Sequence, residues 1–169
     1  MTDLLPLLQE FYREKLADLL RHEFNARAVS SYDANNTYQY IVNREEAQLS
    51  WIAPAIMNLG GDVPQEPKES VHARPSSGPE GWRALVHGDA FSAQAFVDRW
   101  QPRVDALDHA RHRKMLSVVL GEALEQKRFF EQILAGRGCG QAPHHRMGSH
   151  AHPWLPYGRA RARILRPYR

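Results

Sequence analysis

The chain has one cysteine, Cys139, in 169 residues. That count excludes a disulfide framework and a cysteine-based zinc site. No apolar run approaches the roughly 18–20 residues that a membrane-spanning helix needs, and 24% of the residues are charged. There is no Gly-rich phosphate loop, no nucleophile elbow and no His-Glu-x-x-His. The alternation that marks a strand is missing as well. The opening MTDLLPLLQEFYREK mixes Asp3 and later charges into its apolar residues, so it reads as neither a signal nor a transit peptide. With a single thiol, this fits a reducing cytoplasm.

Charge is unevenly placed. The net charge of +3 comes from 22 basic and 19 acidic side chains. Residues 139–169 hold Arg146, Arg159, Arg161, Arg163, Arg166 and Arg169 and no acid, together with His144, His145, His150 and His152. The rest of the chain is therefore weakly acidic. The run HHRMGSHAHPWLPYGRARARILRPYR shows no helical or strand period, so it reads as a disordered basic tail that buries too little apolar surface to offset its ordering entropy. The division is thus a bundle over residues 1–138 and a tail over 139–169. An arginine arm for nucleic acid or another anionic surface is a rival reading of that tail, but patterned aromatic stacking is missing, which speaks against nucleic acid.

Elsewhere apolar residues recur at three and four, the mark of amphipathic helices. The first helix is expected over 3–30, from Leu4, Leu8, Tyr12, Leu16 and Leu19, with Thr2 as its cap and Pro6 in its first turn. SSYDANN at 30–36 reads as a break. A second helix is expected from Asn36 to Leu59, carrying Tyr38, Ile41, Glu45, Gln48, Ile52 and Ile56, bent by Pro54 and stopped by Gly60 and Gly61. Residues 61–88, with Pro64, Pro67, Pro75 and Pro79, form a connection long enough to travel the length of a bundle. A third helix starts at Asp89 or Ser92 and reaches Trp100. A fourth runs from Val104 or Asp108 to Gly136. On it Met115, Val118, Glu122, Glu125 and Phe129 make one stripe and Leu116, Leu120, Leu124 and Lys127 another, and periodicity does not choose between them. Trp51, Trp82 and Trp100 read as core or interface anchors.

Some acids fall on apolar stripes. Glu45 lies between Ile41 and Ile52, and a bare carboxylate there costs several kcal/mol unless it is protonated, paired or bound to metal. Glu122 and Glu125 stand between Val118 and Phe129 in the same way. In a hairpin turning near residue 31, at about 1.5 Å of rise per residue, Glu14 and Glu45 come within a few ångströms in height. Asp105, His109 and His112 share helical ligand spacing, but a solvated face, with the two Asp at a helix start where the dipole favours them, is the preferred reading.

Two helical hairpins, one long crossover, and the segments Asn43-Arg44-Glu45-Glu46-Ala47-Gln48 and Leu120-Gly121-Glu122-Ala123-Leu124-Glu125 resemble the ferritin-like superfamily. The resemblance implies an all-α, up-down four-helix bundle. It also implies a Glu-x-x-His from the second and fourth helices with one Glu from each of the others. Here Gln48 and Glu125 stand where the histidines would be, and an amide oxygen is a poorer iron ligand than imidazole. The positions implied for metal are therefore Glu14, Glu45, Gln48, Glu122 and Glu125, as a vestigial set. The expectation is a bundle without a cofactor, acting as a structural or interaction module and, by family habit, as a homodimer with no membrane association. The alternative is a carboxylate oxidoreductase or iron-handling protein holding two iron or manganese ions.

Overall fold

Apolar residues spaced by three and four build four helices in the computed structural model, which describes residues 3–67 and 80–136. They are α1 (Leu4–Ala28), α2 (Tyr32–Asn58), α3 (Arg83–Asp105) and α4 (Ala110–Leu134). No strand occurs among the described residues. The proposed tail with its Cys139, and residues 68–79 of the proline-rich connection, lie outside them.

The expected break at 30–36 narrows to Val29–Ser31. Ser, Asp and Asn disfavour a helix interior but suit its start. The Ser31 hydroxyl accepts a hydrogen bond from Ala34 N at 3.5 Å, and Asp33 adds a negative charge to the first turn of α2, where the helix dipole favours it. Asn35 Nδ2 donates to the Ala26 carbonyl at 2.8 Å, satisfying one of the open acceptors at the end of α1. Helix α2 continues past Pro54 and stops at the two glycines. Gly60 adopts φ +77, its N–H donates to Met57 O at 2.9 Å, and Gly61 N–H donates to Ile56 O at 3.1 Å. This is a Schellman close, which requires a left-handed residue.

Helix α3 starts well before Asp89, because Trp82, Leu85 and Val86 are buried and extend its apolar face. It also runs beyond Trp100. Pro102 falls in its last turn, where its missing N–H removes only one backbone bond, and Ala106 N–H closes the end onto Pro102 O at 3.2 Å. Helix α4 buries Leu116, Val119, Leu120, Ala123, Gln126, Phe130 and Ile133. Val118 and Glu125 face solvent. Of the two stripes open on this helix, the one through Leu116 and Leu120 faces the core.

Helix α1 packs chiefly on α2, and α3 chiefly on α4. Contacts of α2 with α4 and of α1 with α3 join the hairpins. Gly61 is pressed against Leu5, so close that a Cβ there would meet its side chain, and Gln9 Nε2 donates to Asp62 O at 2.9 Å. The chain thus leaves α2 beside the start of α1. It enters α3 at the opposite end, where Trp82 and Val86 share a cluster with Ala26 and Val29. The connection joins opposite ends of the bundle, as its length suggested.

The core falls into two apolar clusters. One centres on Phe11, which meets Phe96 and Trp100 edge-on at centroid distances of 5.2 and 4.8 Å. The other is built on Tyr38, Ile41, Val86 and Phe130. Between them lies a layer of buried polar side chains. Truncating Phe11→Ala is expected to cost about 3–5 kcal/mol, whereas Phe91→Ala, at a ring that is 71% exposed, should stay within about 0.5 kcal/mol. Urea denaturation of the two variants checks this.

Candidate functional site

Each helix places a polar residue on the stripe that it buries. On α1 the buried series runs Leu8, Tyr12, Lys15, Leu19, His22, Ala26; on α3 it runs Val86, Asp89, Ala93, Phe96, Trp100. Helix α2 contributes Glu45 and Gln48, and α4 contributes Gln126. These steps of three and four are the spacing of side chains facing a common bundle axis.

Lys15 Nζ donates to Glu45 Oε1 at 2.7 Å, and His22 Nδ1 lies 2.9 Å from Glu45 Oε2. A carboxylate only accepts, so Nδ1 of the imidazole carries a proton. The other imidazole nitrogen, Nε2, is 3.7 Å from Asp89 Oδ1. Asp89 accepts from Arg21 Nε at 3.0 Å, Asn25 Nδ2 at 2.8 Å and Tyr38 Oη at 2.5 Å. Asp18 completes the group, 3.6 Å from Lys15 Nζ and 2.9 Å from Arg21. Lys15, His22, Glu45 and Asp89 are each 2% exposed or less. Three carboxylates thus meet Lys15, Arg21 and His22, and the formal charge closes to zero when His22 is an imidazolium.

The electrostatics agree with that count. Burial works against a charged Lys15, but Glu45 and Asp18 outweigh it and raise its pKa. Burial likewise opposes charge on His22, and Glu45 and Asp89 overcome it, raising the imidazole above 6.5. Burial alone would push Glu45 upward; His22 and Lys15 pull it down to about 2. Burial and the neighbouring Asp89 raise Tyr38, which keeps its phenol a donor. Helix α4 brings no charge to the imidazole, only the Phe130 ring at 5.3 Å.

The residues singled out from sequence take different places. Glu45 and Gln48 are both fully buried. Glu14 is buried too, but its carboxylate turns toward α3, accepting from Trp100 Nε1 at 2.8 Å and pairing with Arg99 at 2.6 Å. Glu45 meets Lys15, the next residue along α1, and His22. Glu122 is half-buried, held by Arg44 and by Gln48 Nε2 at 2.5 Å. Glu125 faces solvent. Asp105 accepts from Gln101 at 2.9 Å, and His109 and His112 bring their Nδ1 atoms to 2.9 Å of each other at the surface. Among the described residues, no group of three His, Cys, Asp or Glu side chains is arranged to hold a metal ion. The donor set at Glu45 does not fit a dinuclear metal centre, because an ammonium and an N–H already claim both carboxylate oxygens.

Lys15, Arg21, His22 and Asn25 are members that the sequence reading missed, and Asp89 was read only as a helix start. The signal was present, since Lys15 and His22 continue the spacing of Leu8, Tyr12, Leu19 and Ala26. No protein-family model matches this chain, and no curated protein matches it in sequence.

Lys15→Met leaves the buried Glu45 carboxylate without its ammonium partner, and a loss of about 3–5 kcal/mol is expected. Adding Glu45→Gln should return at least about 1 kcal/mol of that loss, measurable as the coupling in a double-mutant cycle. The pH dependence has a definite sign. The His22 contribution is complete below 6.5 and fades as pH rises through its elevated folded value. The Glu45 contribution is complete above 4.5 and fades as pH falls toward about 2. Urea midpoints followed across pH should show an alkaline decline that His22→Gln removes.

Proposed function

We propose that this chain is a ferritin-like helical bundle that works without a metal centre, as a structural and interaction module acting through its outer surface and as a homodimer. The observation that carries the reading is the Lys15 ammonium on the buried Glu45 carboxylate at 2.7 Å. A carboxylate cluster built for iron or manganese needs its oxygens free for the cation, and here a protein cation supplies the neutralising charge. The kinship is supported by two hairpins joined by a connection between opposite ends of the bundle, together with Glu45 on the buried stripe of α2. An interaction role is supported by Tyr40, Trp51 and Val118, which are large and apolar yet 48%, 39% and 46% exposed.

The test is metal analysis of the full chain purified from cells grown with added iron and manganese. No stoichiometric metal is expected beyond what the Glu45→Gln variant retains. A pair of iron or manganese ions per chain that Glu45→Gln loses would overturn the reading in favour of a di-metal carboxylate protein.

A further inference from the structure

Three of the exposed large apolar side chains on α2 and α4, Tyr40, Trp51 and Val118, fall along one side of that helix pair. Tyr40 packs edge-on against Phe129 of α4 at 5.7 Å, and together with Asn36 and Thr37 these rings line a shallow groove. Three helical turns further along α2, about 16 Å away, Trp51 stands on the same side of the helix. The guanidinium of Arg44 lies over its ring at 5.8 Å and also binds Glu122, so Trp51 borders the seam between α2 and α4. Val118, one turn before Glu122 on α4, is 46% exposed. One face of the molecule therefore carries an aromatic knob at one end and an aromatic-lined groove at the other. Between them Gly121 is exposed and a Cβ there would touch nothing, Ala47 offers only a methyl, and Arg44 and Glu125 bring charge.

A knob and a groove on one face are self-complementary under a two-fold axis. An axis lying across the helices between Tyr40 and Trp51 places the Trp51 of each copy over the other copy's groove. Arg44 and the exposed Glu125 then lie beside the axis, and each copy can offer a guanidinium to the other's free-facing carboxylate. We infer that the α2/α4 face is the contact between two copies of this chain, with Trp51 of each seated against Asn36, Tyr40 and Phe129 of the other. This rests on the reading of the chain as a self-associating module and adds where the association occurs.

Sedimentation of the full chain tests it. The wild type is expected to be a dimer, and Trp51→Glu a monomer with its helical circular dichroism retained. Phe91→Glu, on an exposed ring of α3, should remain a dimer. In a Cys139→Ser background, Asn36→Cys mixed with Pro54→Cys should form a cross-chain disulfide, while either variant alone should not. A monomeric wild type would overturn both the association and the interface. A dimer that survives Trp51→Glu, or fails with Phe91→Glu, would overturn the interface alone. Neither result bears on metal content, which the analysis of Glu45→Gln reads separately.

Discussion

A carboxylate carried out of water needs a counter-charge within a few ångströms, and Glu45 finds its own in Lys15. Much of the interior is arranged around that pair. Lys15 lies on the stripe that buries Leu8 and Leu19, and Glu45 on the stripe that buries Ile41 and Ile52, so the hairpin cannot form without bringing both into the core. His22 then covers the second oxygen of Glu45, and its far nitrogen faces Asp89. Through Asp89 the layer reaches α3, and through Tyr38 it returns to α2. A pairing made at one point of one hairpin thus ties three helices at a single height.

Such a layer adds little net stability, because the desolvation of three carboxylates and three cations consumes most of what their attraction returns. Its physical effect is on register. Sliding α1 along α2 by one turn would move Lys15 off Glu45 and leave both charged groups facing hydrocarbon, a penalty that two apolar stripes alone would not impose. The apolar clusters on either side, one around Phe11 and Trp100 and one around Tyr38 and Phe130, are then held in fixed correspondence.

The outer surface follows a different rule. The hairpins are joined along seams where α2 meets α4 and α1 meets α3, and these carry salt links such as Arg44 to Glu122 and Arg103 to Glu10. The α2/α4 seam also leaves aromatic rings in reach of solvent. Lys15, His22, Glu45 and Asp89, by contrast, are out of reach of solvent.

The four helices were legible from spacing alone, as was the burial of Glu45 and Gln48, because a period near 3.6 forces residues at three and four onto one side. The glycine stop after α2 was legible too, since only a residue free to adopt a left-handed conformation completes that close. The early start of α3 was obscured by the proline-rich segment before it, and the run through Pro102 by a residue that seldom stands inside a helix. Glu125 looked like a partner for Glu122, but it lies on the outer of two stripes that periodicity cannot rank. Sequence therefore determined which residues share a side of each rod. Only the tertiary structure decided which sides meet, and with that which cation answers Glu45. Spacing along one helix contains no information about the rotation and height of its neighbours, and a charge pair between helices exists only when both are set.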